Sequence, residues 1–191
     1  MIRLAVGLVA VLVMAVTIGR AIGRTEDELF QSRDYGSYMP EETLIDTDED
    51  GKTADLALTS GASSQLGQTT TQSVLEWSSD FVQGTCPNGN PGFQGRFVSG
   101  SAVIHTAKGD RLLIHFDRGT TCIGSTTNAA SISLEGTIIG GTGRFIDAKG
   151  TVQVNGIAIL EVVSNESGVI LFDSMDSQTT GTIRTQNHGR G

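Results

Sequence analysis

Three aspartates at alternate positions form the clearest chemical pattern in the sequence. Asp46, Asp48 and Asp50 precede Gly51. This spacing matches the first half of a calcium-binding loop, where alternate carboxylates converge on the ion and glycine allows a sharp turn. The second half departs from the pattern, because position twelve is Ala57 rather than glutamate. The segment therefore predicts either a weak calcium site or a solvated acidic stretch without an ion.

Two cysteines, Cys86 and Cys122, lie in glycine-rich segments. In an exported chain an even number of cysteines predicts a disulfide, and two thiols without histidines are too few for a structural zinc site. Closing a loop of about 37 residues would stabilise the fold by roughly 3–4 kcal/mol in the chain-entropy model. We therefore expect a Cys86–Cys122 disulfide rather than a metal or redox site.

The candidate ligand-binding residues are His105, Glu161 and Trp77. His105 is predicted beside Leu112 near the mouth of a barrel, whereas Glu161 and Glu135 would point inward only if the strand alternation shifted by one residue. Trp77 is either a core residue or a platform for a ligand. The sequence contains no Ser-His-Asp order, paired-carboxylate spacing or cofactor fingerprint, so we assign no catalytic residue and no cofactor beyond the calcium alternative.

The elements that would position these residues are short strands between residues 69 and 191. Leu112, Ile114 and Phe116 alternate with polar residues, as do Ile132 and Leu134, which indicates one buried face per strand. Strand formers closed by glycine, asparagine or serine recur at the spacing of an antiparallel barrel. We predict an all-β, eight-stranded antiparallel β-barrel with strands near residues 69–82, 93–106, 111–118, 129–139, 150–156, 157–163, 169–175 and 180–185.

Two glycine-containing corners connect these strands. The turn at residues 107–110 predicts a tight hairpin that places Val103 and His105 on the side of Leu112 and Ile114. The run at residues 140–143 predicts a second corner, because it lacks the helix that a phosphate-binding loop requires.

Residues 1–24 have the pattern of a secretion signal or a membrane anchor. Arg3 is followed by an apolar or small run from Leu4 to Gly19, which is typical of a signal-peptide hydrophobic region. The run is short for a membrane span unless Arg20 reaches the interface, and the residues before Arg24 form a fair cleavage site. Cleavage and retention as an N-terminal hydrophobic helix both stay open. Either outcome predicts an extracytoplasmic protein, which is secreted, periplasmic or anchored.

Residues 25–68 are predicted to form an acidic and Ser/Gly-rich linker. The formal net charge is -8, which divides into about +3 on residues 1–24, about −9 on residues 25–58 and about −2 on residues 59–191. Such a composition buries too little apolar surface to offset the entropy of ordering. The chain also lacks a basic stripe with interleaved aromatics, so nucleic acid is not an expected partner.

The corner Gly140-Gly-Thr-Gly-Arg-Phe145, continuing to Gly150, resembles the strand-turn-strand signature of allene oxide cyclase and dirigent barrels and of their bacterial secreted relatives. The segments Gly95–Ile104 and Ala107–Leu112 are similar to the preceding strands of those relatives. The resemblance covers roughly residues 70–185. It implies a calycin-like eight-stranded barrel with a central cavity, in some members dimeric or trimeric. No cyclase or radical-coupling residue of the family maps onto a matching position.

Three functions fit these patterns. The first is a non-enzymatic barrel that binds a small apolar molecule or docks onto a membrane or envelope protein complex. The second is a cavity enzyme of cyclase or isomerase type, in which apolar walls fold a flexible substrate and a few polar groups polarise it. The third is a single-span subunit of a membrane complex. Polar side chains converging in an open cavity would favour the enzyme, and a lumen filled with apolar side chains would exclude it.

Overall fold

A computed structural model describes residues 27–40, 43–165 and 168–185, with side chains described except for residues 160–173. Within these ranges the chain forms nine β-strands and one short 3₁₀ turn at Gly143–Phe145. In this part of the chain no helix is long and apolar enough to cross a membrane. The strands are β1 Glu28–Met39, β2 Asp55–Ser63, β3 Gly67–Trp77, β4 Val82–Thr85, β5 Pro91–Thr106, β6 Arg111–Gly124, β7 Ala129–Gly141, β8 Lys149–Asn165 and β9 Gly168–Arg184.

Eight of these strands close into an antiparallel barrel. The order is β3-β2-β1-β9-β8-β7-β6-β5, and β5 pairs back onto β3 from Phe97 to Thr106. The short strand β4 pairs with the first part of β5 and is additional to the barrel. The predicted all-β, eight-stranded antiparallel barrel is therefore confirmed, while the predicted N-terminal hydrophobic helix lies outside the described residues.

The alternation predicted for the central strands is confirmed. Leu112, Ile114 and Phe116 of β6 are buried, and so are Ile132 and Leu134 of β7, while the residues between them are wholly or partly exposed. Because side chains alternate across a strand, each of these strands presents one apolar face to a shared interior.

Residues 25–68 are not a linker, and the predicted domain boundary at residue 68 is wrong. Strands β1 and β2 lie in this segment, and both belong to the closed barrel. The sequence predicts no strand here because the inward positions of β1 include polar residues such as Ser32 and Asp34. The segment therefore lacks the alternation of apolar and polar residues that indicates a half-buried strand. The entropy cost of ordering is offset here by backbone hydrogen bonds on both sides of β1, which pairs with β2 from Ser32 to Met39 and with β9 from Glu28 to Tyr38.

The predicted count of eight barrel strands is right only because two strands that were each predicted as a pair offset the two missed strands, β1 and β2. The predicted pairs 150–156 with 157–163, and 169–175 with 180–185, are the single long strands β8 and β9. Gly156, at the end of the predicted strand 150–156, lies within continuous β8 in close contact with side chains of β9. Residues 176–179, the predicted gap before the last strand, lie within continuous β9.

The two ends of the barrel are closed in different ways. At one end Phe145, Leu66 and Phe30 are buried around the corner that follows β7. At the other end Trp77 and Tyr38 are buried beneath the segment that connects β1 to β2. The interior between these ends is the candidate site that the fold creates.

Candidate functional site

The interior of the barrel has an apolar side and a polar side. Strands β5 to β8 contribute apolar lining, which comprises Ala102, Ile104, Ile114, Phe116, Leu134 and Val154. The polar lining comes from β1, β2, β3 and β9, and comprises Asp34, Thr59, Thr71, Ser73, Ser177 and Thr179. These side chains leave a cavity of about 40 Å³. That space holds a few water-sized groups, whereas pockets for small organic ligands usually measure about 300–1,000 Å³.

Asp34 is the one titratable side chain among the residues that line this cavity. It is 5% exposed and pairs across the backbone with Gly61 of β2 and Ser177 of β9. Its Oδ2 accepts a 2.6 Å hydrogen bond from the Ser32 hydroxyl, whereas Oδ1 is enclosed without a hydrogen-bond donor. Burial raises the pKa of Asp34, and the nearby hydroxyls of Ser32 and Thr69 oppose this shift.

A chain of buried polar groups lies at the Trp77 end of the barrel. The indole N–H of Trp77 donates to the Tyr38 hydroxyl over 3.0 Å, and that hydroxyl donates to Oδ2 of Asp55. Lys52 Nζ lies 3.8 Å from the other oxygen of Asp55. Trp77 also packs edge to face against Phe97 at 5.3 Å between ring centroids. Trp77 is therefore a core residue. Its predicted contact with a ligand stays a prediction.

The acidic segment between β1 and β2 folds back over the same end. Glu76, which is 1% exposed, accepts the backbone N–H groups of Thr47 and Asp48 and the hydroxyl of Ser99. Asp50 accepts the backbone N–H of Ser79 over 2.5 Å. We call residues 43–54 the acidic cap, because these bonds fix it to β3 and to the residues that follow β3.

The predicted calcium residues Asp46, Asp48 and Asp50 meet on the outside of the acidic cap. One carboxylate oxygen from each lies within 4.8 Å of the other two. Asp46 also accepts the backbone N–H groups of Asp50 and Gly51, and Asp48 pairs with Arg96 at 3.3 Å. These contacts hold the loop in shape without requiring an ion. Weak calcium binding by the three aspartates therefore stays a prediction.

His105 was predicted to lie on the same side of the barrel wall as Leu112 and Ile114, and this prediction is wrong. Ala102 and Ile104 point inward, so His105 lies on the outer face, paired with Arg111 of β6 and Thr70 of β3. His115 lies on the same outer face, not on the opposite one as predicted. Five residues separate His105 from its partner Arg111, and this odd number reverses the predicted alternation. Glu161 lies in β8 opposite Phe172, and its side chain is outside the described residues.

The predicted disulfide between Cys86 and Cys122 is confirmed. Cys86 follows β4 and Cys122 lies in β6, and both are buried. Because β4 pairs only with β5 among the described strands, the disulfide is its second attachment to the barrel.

The outer wall carries an apolar cluster that the sequence reading did not identify. Tyr35, Ile157 and Ile159 are 51%, 55% and 48% exposed, and Tyr35 and Ile157 flank Asp176 in adjacent register across β1, β9 and β8. Together with Gly36 they border a surface depression of about 360 Å³. We call Tyr35, Ile157 and Ile159 the outer apolar patch.

The sequence analysis did not identify the three buried carboxylates, Asp34, Asp55 and Glu76, or the buried hydroxyl of Tyr38. Phe30, Ser32, Asp34 and Tyr38 do share one face of β1. Their even spacing is the signal that could have found Asp34, had polar residues been allowed on an inward face.

Comparisons with known proteins find little similarity to this chain. No protein-family model matches this chain, and no curated protein matches it. Among solved structures, the pterocarpan synthase dirigent protein GePTS1 is similar, with 15% sequence identity and a TM-score of 0.37. The match covers 87% of this chain and 90% of that one.

Proposed function

We propose that this chain is a non-enzymatic binding barrel that docks onto another protein through its outer wall. The observation that carries this proposal is the outer apolar patch, where Tyr35, Ile157 and Ile159 are each about half exposed around one depression. Clustered exposed apolar side chains mark interaction sites in soluble proteins, whereas isolated ones do not. This cluster also contains Asp176, which lies between Tyr35 and Ile157 and is ion-paired with Arg33. Tyrosine in such a cluster supplies large contact area at low entropy cost.

The size of the interior supports docking over the other candidate functions. A cavity of about 40 Å³ is well below the volume that a folded cyclase substrate or a small apolar ligand requires. Either function would need Phe116, Leu134 or Met175 to move out of the cavity lining. Docking through the outer patch needs no such movement.

Free backbone edges beside the patch also favour docking. Pairing between β7 and β8 begins at Ala129 with Ile159, and pairing between β1 and β9 begins at Tyr38 with Asp173. Beyond these points β8 and β9 pair only with each other in the described backbone. Unpaired strand edges are templates for pairing with another chain.

The partner we propose is a protein of the membrane or envelope, with a second copy of this chain as the other occupant that the test distinguishes. A disulfide between Cys86 and Cys122 suits an oxidising compartment outside the cytoplasm. The apolar run from Leu4 to Gly19 fits export or anchoring. The intact mass of the native protein distinguishes a cleaved signal peptide from a retained anchor, because cleavage removes the first twenty-odd residues.

Site-specific photo-crosslinking tests the docking proposal. A benzophenone amino acid is placed at Ile157, or at Gln153 as the control, which lies on the same strand and the same outer face. We expect one defined protein to be captured from Ile157 and not from Gln153, and Tyr35→Glu to abolish that capture. Equal capture from both positions, or none from either, would overturn the proposal.

A further inference from the structure

The polar side of the barrel interior is a set of oxygen atoms without a positive charge. Asp34 supplies a carboxylate, and Thr59, Thr71, Ser73, Ser177 and Thr179 supply hydroxyls around the same cavity. No lysine, arginine or histidine lines the cavity among the described residues. Buried charges in proteins are normally paired, coordinated to a metal or neutralised by a proton.

Oδ1 of Asp34 is a buried carboxylate oxygen that lacks a hydrogen-bond partner. It is enclosed and has no partner within hydrogen-bond geometry, while Oδ2 accepts a hydrogen bond from Ser32. The Thr69 hydroxyl, which is also buried without a partner, lies close enough to oppose the rise in the pKa of Asp34. An uncompensated buried carboxylate oxygen costs more than a lost neutral hydrogen bond. Gly61 in the facing strand provides space for this oxygen, because a Cβ at Gly61 would collide with it. The backbone therefore accommodates the carboxylate without supplying a donor to it.

We propose that this cavity binds one monovalent cation of the size of Na⁺, K⁺ or ammonium, which is held by the Asp34 carboxylate and by the hydroxyls around it. The volume of about 40 Å³ admits an ion of this size together with water, because a cavity of about 10–15 Å³ on the same measure already holds one water molecule. Carboxylate and hydroxyl oxygens are hard ligands, which suit hard cations rather than soft ones. A single carboxylate balances one positive charge, whereas a divalent ion would leave a net buried charge.

The site is independent of the outer apolar patch. Tyr35 follows Asp34 directly in β1, but successive side chains of a strand point to opposite faces, so the two sites lie on opposite sides of the wall. Substitutions at Asp34 therefore test the cation without testing the docking function.

Crystals grown in thallium(I) or rubidium salts provide the direct test. We expect an anomalous peak beside Oδ1 of Asp34 in the wild-type protein and its loss in Asp34→Asn. The exposed Asp117→Asn variant is the matched control and should keep the peak. A wild-type crystal without the peak, or a peak that persists in Asp34→Asn, would overturn the proposal and leave water, a proton or the Thr69 hydroxyl as the partner of Asp34.

Unfolding in different salts at one ionic strength provides the second test. At pH 8 we expect the wild-type midpoint to be higher in at least one of sodium, potassium or ammonium chloride than in tetramethylammonium chloride, whose cation is too large for the cavity. Asp34→Asn should show no such difference. If Asp34→Asn fails to fold, Ser177→Ala and Thr59→Val keep the carboxylate and should weaken the apparent affinity by about tenfold. Identical wild-type midpoints in all four salts would contradict cation binding.

Discussion

The indole N–H of Trp77 donates a 3.0 Å hydrogen bond to the hydroxyl of Tyr38, across 39 positions of sequence. This bond joins the last residue of β3 to the end of β1, and the same hydroxyl donates to Asp55 at the start of β2. Three strands thus meet through one phenol group at the capped end of the barrel. The Tyr38 hydroxyl serves as donor and as acceptor at once, which neither a Phe nor a Trp side chain could do in that position.

Tyr38→Phe should lower the free energy of unfolding by about 1–3 kcal/mol, because it leaves the buried Trp77 N–H without this acceptor and removes one hydrogen bond from the buried Asp55 carboxylate. Urea unfolding followed by tryptophan fluorescence measures this change. Tyr35→Phe is the control, since the Tyr35 side chain is about half exposed, and its midpoint should stay close to wild type. A Tyr38→Phe midpoint equal to that of the control would show that the network contributes little.

Glu76→Gln should loosen the acidic cap without opening the barrel. Burial raises the pKa of Glu76, but hydrogen bonds from Thr47, Ser99 and the Asp48 amide outweigh it, so the pKa lies below its ordinary value. A depressed folded-state pKa gives stability that is present above the unfolded pKa and is lost as the pH falls through the folded one. Amide exchange of Thr47 and Asp48, measured from pH 7 to 3 and corrected for intrinsic rates, should lose protection at low pH.

The same loss of protection should appear at neutral pH in Glu76→Gln, whose amide oxygen accepts these bonds more weakly than a carboxylate. Amides of Ile114 and Leu134, in the central strands, serve as the internal control and should stay protected. Simultaneous loss in both regions would mean that the cap and the barrel unfold as one unit.

Calcium should raise the unfolding temperature only at millimolar concentrations, because the loop at Asp46, Asp48 and Asp50 lacks the bidentate glutamate of a strong site. Addition of EGTA should return the midpoint to its starting value, and Asp48→Asn should abolish the shift. Calorimetric titration that detects micromolar calcium binding would contradict this expectation, and so would the absence of any shift at 10 mM, a concentration about tenfold above that range.

Removal of the disulfide should destabilise the protein by about 2–4 kcal/mol, since it frees a loop of about 37 residues in the unfolded chain. The double variant Cys86→Ala/Cys122→Ala compared with wild type in chemical denaturation measures the loss. Because β4 pairs only with β5 among the described strands, its amides should exchange fastest in the variant. The reduced wild-type protein should match the double variant, and a difference between the two would point to a packing effect of the alanines.

The parts of the barrel that sequence predicted are those whose inward residues are apolar. Leu112, Ile114 and Phe116 could be assigned to one face because their neighbours are polar. Strand β1 could not be assigned in this way, because Ser32 and Asp34 are buried on the same inward face as Phe30. Closure, and not composition, orders this strand, because both of its edges are paired. A reading based on apolar alternation therefore misses the strands that supply the polar side of an amphipathic interior.

Register set the second limit on prediction. The face of His105 depends on whether an even or an odd number of residues separates it from its partner in β6. That number is fixed by the turn, where Thr106 N–H bonds to the Asp110 carbonyl and Gly109 has a φ of 85°. A one-residue difference in such a turn moves every side chain of the strand to the other face. Local sequence favours a turn here without specifying which of the two geometries it adopts.

Asp34 should make the wild-type protein less stable as the pH rises, in a solution whose only cation is tetramethylammonium. Its pKa is raised above the ordinary value of 3.8, primarily by burial. The folded protein therefore holds this proton more tightly than the unfolded chain, and the stability that the proton provides is lost as the pH rises through the folded pKa. Asp34→Asn cannot release a proton and should not show this loss.

Other carboxylates oppose this trend, because hydrogen bonds and ion pairs lower the pKa of Asp27, Asp50 and Asp176. The informative quantity is therefore the difference between the wild-type and Asp34→Asn free energies of unfolding at each pH from 3 to 9. That difference should shift in favour of Asn as the pH rises. A flat difference for Asp34→Asn would mean that the carboxylate finds a hydrogen-bond donor in the folded protein and holds its charge there.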